Sequence, residues 1–561
     1  MMKNLTIGLL CSLVAANCFA GIVEDSGVKG GIVVQLGVES DEDLAELLVS
    51  DAYLVHVLDK DSAKVDKARA DLRGKGLYGR IFVNQCDGTT LPYADNLVNL
   101  IVIRDTRHEI RDEELIRVLA PRGKIIASDG TRIPHPVSRI GNGFVMFSKP
   151  VPSDMGTWTH YLHGPDNNAV TNDRIVAAPR SIQWVADPMW SRSHEQMASV
   201  SAAVSDAGRI FYIEDIAPRV SIRYMADWKL TCRDAFNGKL LWRRDIGQWS
   251  DHLRHFRAGP VHLTRRLVVD GDKLYVTMAI DAPVSVLDAV TGETIRVIEG
   301  TERTDEITID QGIAYLVVGT SEKNRRGSDD SFYERGEPKP TDYRFITAID
   351  LTGDKVLWKK DFSGSKYLLP LSMTVRGGSV YYQNLQGVGR LDAKTGEEMW
   401  LTPRETVAVR MAFSAPTVVA TDEVLLVADR NPSRPRPAEQ PEEKKTEGKK
   451  PRKKKGGGPG APAATTEVQW GIHGWNISGV PRGNPSTLIA YSVEDGKELW
   501  RMNASEIYNS PVDVFVIDDI VYVSRGWSGY DLRTGEPKVA MSPGARTAMS
   551  HHRCYRNKAS V

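Results

Sequence analysis

The sequence predicts a chain of two folds: an α/β domain on a parallel sheet, then an all-β domain of repeated antiparallel sheets. Three observations predict it. The chain has 561 residues, more than one hydrophobic core usually serves, so two or more domains are expected. Between residues 30 and 148 short apolar runs alternate with amphipathic stretches, the pattern of βαβ units. From about residue 180 onward one hairpin signature recurs six times.

In the first domain, residues 31–36, 53–58, 80–84, 97–103 and 124–128 read as strands, and 41–50, 62–75 and 112–119 as helices. The strand runs are almost continuously apolar, as expected of parallel strands covered on both faces. Of a closing hairpin only 143–148 reads as a strand.

Asp59 ends the second strand, and Asp61-Ser62-Ala63-Lys64-Val65 and Ala68-Arg69 follow it. Gly76-Leu77, Asp87, Leu91-Pro92-Tyr93-Ala94-Asp95-Asn96 and Arg117-Val118-Leu119-Ala120-Pro121-Arg122-Gly123 come next. This order resembles a class I S-adenosylmethionine-dependent methyltransferase domain. The resemblance implies a Rossmann-like fold and S-adenosylmethionine as cofactor, with Asp59 at the ribose hydroxyls and Asp87 near the adenine amine. A carboxylate suits both places because it only accepts hydrogen bonds. The family also needs a glycine-rich turn after the first strand, so that backbone can approach the cofactor. Here Gly37 is kept, but Glu39 and Asp41 stand where the second and third glycines belong. The sequence therefore reads as a retained fold without methyl transfer, with an active methyltransferase as the alternative.

The repeated unit of the second domain is Asp-x-x-(Thr/Asn/Asp)-Gly-(Lys/Glu)-x-x-Trp. Copies run from Asp234 through Gly238 to Trp242, at Asp288 and Gly292, and from Asp350 through Gly353 to Trp358. Three more run from Asp392 through Gly396 to Trp400, from Glu494 through Gly496 to Trp500, and at Asp531 and Gly535. Each reads as a strand, a tight turn with a left-handed Gly, and a second strand closed by Trp. The Asp can accept hydrogen bonds from the turn, and the Trp can pack between neighbouring units. A β-branched and aromatic strand precedes each turn, at 209–213, 273–278, 313–318, 379–382, 424–427 and 520–523. Such spacing suits the blades of a β-propeller.

The signature resembles the pyrroloquinoline-quinone (PQQ)-like propeller repeat. That family includes quinoprotein dehydrogenases and scaffolds such as the BamB-type outer-membrane assembly lipoprotein. A quinoprotein would be expected to carry adjacent cysteines against its quinone; this chain has no Cys-Cys pair, which counts against PQQ and against the oxidoreductase alternative. Thr157-Trp158-Thr159-His160-Tyr161-Leu162-His163, Pro188-Met189-Trp190-Ser191-Arg192 and Met197-Ala198-Ser199, in a junction over 149–200, are similar to exported bacterial PQQ-like repeat proteins that pair both domains. That resemblance implies no settled activity. The propeller domain spans 201–561. Its turns are unevenly spaced because of two inserts, 321–342 and 430–485, at one place within the repeat, so both are expected at one rim, the expected site of a protein or polysaccharide partner. A sixth turn followed by the opening of a further strand leaves a ring that lacks strands or closes unconventionally.

Residues 1–20 read as an export signal: Lys3, an apolar run over 5–16, then small residues before Gly21. A periplasmic or secreted location follows. Asn17 before Cys18 fits lipoprotein anchoring poorly. Cys86, Cys232 and Cys554 remain, too few and scattered for a disulfide framework. The formal charge is zero, 72 basic against 72 acidic residues, but the Pro-, Lys- and Gly-rich insert 431–466 holds ten Lys/Arg and four Glu. That segment, net +6, is expected to be a disordered tether able to meet an anionic surface; nothing points to specific nucleic-acid binding. His160 with His163 and His252 with His255 share a two-residue gap that could serve a metal, or hydrogen bonds at the junction.

Overall fold

A computed structural model of the chain describes residues 21–38, 41–104, 108–141, 143–175, 181–187, 192, 200–221, 223–249, 261–319, 343–363, 366, 368–369, 371–404, 417–430, 469–470, 476–478, 484–506, 512–523, 528–539 and 556–557.

After a short helix, α1 (Ile22–Ser26), the first domain is one sheet of seven strands. These are β1 (Gly31–Leu36), β2 (Tyr53–Asp59), β3 (Ile81–Gln85), β4 (Val98–Ile103), β5 (Leu119–Ser128), β6 (Val137–Gly141) and β7 (Phe144–Ser148). Their order is β3-β2-β1-β4-β5-β7-β6. The first five are parallel; β7 runs antiparallel between β5 and β6. The closing hairpin therefore has both its strands. Helices α2 (Asp41–Glu46), α3 (Ser62–Gly74) and α4 (Asp112–Val118) lie among them in sequence. Asp61 caps α3 by accepting the amides of Ala63 and Lys64. Apolar side chains on the two sides of the sheet form two cores, one around Val33, Val55 and Leu72, the other around Val34, Ile101 and Leu115.

Among the described residues six four-stranded antiparallel sheets follow, each running first to fourth strand in chain order, with the short pair Gln469–Trp470 and Asn476–Ser478 between the second and third strands of the fifth. Their first strands are Val200–Asp206, Leu267–Asp270, Thr304–Asp310, Thr374–Arg376, Thr417–Ala420 and Val514–Ile517. Their second strands are Arg209–Asp215, Lys273–Thr277, Ile313–Gly319, Ser379–Gln383, Val424–Arg430 and Ile520–Val523. The repeated turn joins the third and fourth strands. In the first copy the Asp234 carboxylate accepts the amides of Phe236 and Asn237, and Gly238 takes φ 72°.

Successive sheets are joined by one recurring contact. Trp242 Nε1 donates to the carbonyl of Ala289 (3.2 Å), Trp358 to Ala393 (2.9 Å), Trp400 to Val493 (3.0 Å) and Trp500 to Leu532 (2.9 Å). Where the second sheet has Arg296 in place of Trp, the guanidinium donates to Leu351 (2.8 Å). The indole also covers the turn glycine of the next sheet. Sequence reasoning missed a further member: Trp184, ahead of the first sheet, donates to Ala235 (3.0 Å) and covers Gly238. Its signal was the shared Trp-x-x-Asp of Trp184 to Asp187 and Trp242 to Asp245.

The junction between the domains forms a strap that visits all six first strands in chain order. Trp158 exchanges backbone hydrogen bonds with Ser205, and the carbonyl of Thr159 accepts from Val269. His160 Nε2 accepts from Ile309, the carbonyls of Pro165 and Asp166 accept from Val375 and Ala420, and Asn168 Oδ1 accepts from Val516. Val170–Thr171 then pairs parallel with Arg556–Asn557. The contacts fall at the middle or carboxyl-terminal half of each first strand, so every second strand runs away from the strap. Among the described residues no helix is long and apolar enough to cross a membrane.

Candidate cofactor cleft

The three residues assigned by the methyltransferase resemblance gather at the carboxyl ends of β1, β2 and β3. Gly37 follows β1 with φ 98°, a conformation that favours glycine, and its amide donates to Leu58 (2.8 Å). Buried Gln35 steadies the turn by donating to the Gly37 carbonyl (2.9 Å). Asp59 ends β2. Its Oδ2 accepts the Val38 amide (2.7 Å) and its Oδ1 the Asp61 amide (2.8 Å). Asp87 lies beyond β3 and accepts the amides of Thr89 (2.8 Å) and Thr90 (3.0 Å). Those amides, Thr90 first, hold its carboxyl below the usual range. Arg117 braces the next loop from below, donating to the Tyr93 carbonyl and to Asp95 (2.8 Å each) and pairing with Glu114.

Lys60 was missed by the sequence reading and bears most on the cleft. Its stem lies against Gly88 so closely that a Cβ there would sit 1.8 Å from Lys60 Cε. Its Nζ is 3.1 Å from Glu109 Oε2. Lys60 therefore lies beside the loop that follows Asp87, where the resemblance implies the adenine amine. Both Asp59 oxygens are engaged by backbone amides, and Glu39 lies outside the described residues.

The amino ends of the central strands carry the contact with the repeats. Asn99, in β4, accepts the Ile32 amide (2.8 Å) and donates to Asp234 (2.6 Å). Asn237 donates to Asn99 Oδ1 (2.7 Å) and to the Leu97 carbonyl (2.9 Å). The first repeated turn is thus docked at the amino ends of β1 and β4, away from the cleft. Burial, foremost, raises the Asp234 carboxyl, so its partners here matter. Asn99→Ala removes three of these hydrogen bonds and is expected to cost about 2–4 kcal/mol in urea unfolding.

Of the histidines, His160 engages both ring nitrogens, Nε2 with Ile309 and Nδ1 with Thr159 Oγ1 (2.8 Å). Its backbone pairs with that of His163. Among the described residues no group of three or more His, Cys, Asp or Glu is placed to hold a metal. His252, His255, residues 1–20, the insert 431–466 and Cys554 lie outside the described residues.

No family model matches the chain. Curated relatives include the ubiquinone/menaquinone biosynthesis C-methyltransferases UbiE of Shewanella sediminis (27% identical over 125 residues, 21% of this chain and 50% of the relative) and Shewanella woodyi (26%, the same coverage). The chain spans about half the length of the curated relatives it matches. Among solved structures, an Aquifex aeolicus SAM-dependent methyltransferase is 20% identical, covering 23% of this chain and 86% of that one, at a TM-score of 0.19. A Streptomyces coelicolor geranyl diphosphate C-methyltransferase is 16% identical, covering 22% and 48%, at 0.19. The amino-terminal domain is methyltransferase-like; the rest is a succession of four-stranded antiparallel sheets.

Proposed function

We propose that this chain is an exported binding protein in which the methyltransferase-like domain no longer transfers methyl groups. The six sheets are read as blades of a PQQ-like propeller whose rim meets a protein or polysaccharide partner. Lys60, packed over Gly88 and paired with Glu109, is the observation that carries the loss of activity. The docking at Asn99 is in keeping with it: the first repeated turn is held at the amino ends of β1 and β4, remote from the cleft at the carboxyl ends. The propeller reading is supported by the recurring indole contact and by a strap that reaches every first strand.

Titration calorimetry of the whole chain with S-adenosylmethionine tests the loss of activity. Binding weaker than about 1 mM is expected, and micromolar affinity would overturn the proposal. Lys60→Ala in parallel shows whether the lysine alone excludes the cofactor.

A further inference from the structure

Trp184 stands where the last strand of a seventh sheet would lie. Its Nε1 donates to the Ala235 carbonyl (3.0 Å) and its ring covers Gly238, just as Trp242, Trp358, Trp400 and Trp500 each cover the turn glycine of the next sheet. Each of those four sits in a fourth strand and is paired with a third, opposite Cys232, Ala348, Arg390 and Ala490. Trp184 has the contact without the sheet. Residues 181–187 join no sheet, and among the described residues the backbone of 182–186 pairs with no other backbone. The segment is nevertheless fixed in place. Gln183 Nε2 donates to the Phe236 carbonyl (2.8 Å), and the Asp187 carbonyl accepts the Tyr212 hydroxyl (3.1 Å). Ile182 is 80% exposed and Val185 66%.

The strap marks the other side of the same place. It meets the six first strands in chain order, the sixth at Val516, and its next contact is the parallel pair of Val170–Thr171 with Arg556–Asn557. Arg556–Asn557 thus takes the position of a seventh first strand, and 181–187 that of a seventh fourth strand. The second and third positions between them are unfilled among the described residues. In the second sheet those positions belong to one hairpin, Lys273–Thr277 paired antiparallel with Val284–Asp288. A segment fixed by its side chains, with its backbone hydrogen bonds unmade, accepts an added strand: main-chain pairing supplies the affinity and the side-chain alternation the register.

We propose that a β-hairpin of a partner protein fills these two positions, its second strand antiparallel to 182–186 and its first beside Arg556–Asn557. The inference rests on the binding role proposed above and names the partner's chemistry, a polypeptide offering two adjacent strands rather than a polysaccharide. It is independent of the cofactor cleft, so calorimetry with S-adenosylmethionine and the test below can fail separately.

The test is amide hydrogen exchange of the whole chain with a synthetic peptide copying 273–288, the second sheet's hairpin, and with the same residues scrambled. The hairpin is expected to slow exchange at 182–186 at least about tenfold, and the scrambled peptide to leave it unchanged. Val185→Pro/Ala186→Pro removes two successive amides, one of which must face an added strand. This variant is expected to bind the hairpin peptide at least about tenfold more weakly in calorimetry. The wild-type comparison of the two peptides decides even where the prolines lower the melting temperature. No slowing by the hairpin overturns the proposal, as does equal binding by the double-proline variant. Slowed exchange at 182–186 that grows with protein concentration alone would put a second copy of the chain there, and overturns it too.

Discussion

Lowering the pH from 7 to 4 is expected to cost the chain on the order of 5 kcal/mol through two histidines of the strap. Burial, foremost, with Arg265 and His163 adding to it, lowers His160 from 6.5 to about 3; burial lowers His163 to about 4. The folded chain holds both rings neutral, whereas the unfolded chain protonates them below about 6.5. Between 6.5 and these lowered values the unfolded state binds more protons, so stability is intact above 6.5 and falls as the pH drops. Burial raises Asp166, Asp310 and Glu306, which work in the opposite direction. His160→Gln isolates the histidine, because an amide oxygen can still accept the Ile309 amide. The drop in urea midpoint between pH 7 and pH 4 should be smaller in this variant than in wild type. An unchanged difference would show that His160 is not held neutral.

The second large effect concerns the turn glycines. A Cβ at Gly396 would lie 2.6 Å from the Trp358 indole, and φ there is 73°. Gly396→Ala therefore incurs both left-handed strain and a collision with a ring whose Nε1 is tied to Ala393. The expected loss is about 2–5 kcal/mol, with matching effects at Gly292, Gly496 and Gly535. Gly353 is the internal control: in that copy the left-handed place is taken one residue on by Asp354 (φ 51°), which accepts Arg296, so Gly353 has no left-handed φ and nothing lies within 4 Å of its Cβ position. Gly353→Ala should change stability by less than about 0.5 kcal/mol. Equal losses at Gly353 and Gly396 in thermal unfolding would remove both the left-handed strain and the indole from the explanation.

These elements divide what was legible in the sequence from what was not. The parallel strands β1, β2 and β4 were readable because burial on both faces leaves almost unbroken apolar runs. The repeated turns were readable because four of the six have an Asp and a Gly four residues apart; Asp354 takes the glycine's left-handed place in the third and Ser492 the place of the Asp in the fifth. β6 was missed because Val137–Gly141 is a short edge strand with polar residues, carrying no buried run. Trp184 was missed because no repeated turn precedes it. The strap gave no periodic signal at all: its contacts are made by single Asn, Asp and His side chains and bare carbonyls, each aimed at a different sheet. In the cleft, Gly37, Asp59 and Asp87 came from the resemblance. Lys60 did not, since its role depends on a contact with Gly88 that spacing cannot reveal.

The strap also orders events in time. Asn168 meets Val516 across 348 residues of chain, and its exchange of hydrogen bonds with that strand cannot form until most of the protein has been synthesised. Residues 158–170 thus leave the ribosome well before their partners and await each sheet in turn. A chain built this way brings its later sheets to a segment that has already been synthesised. The cost of closing long loops then falls on one short stretch, which makes the strap the template on which the sheets are gathered.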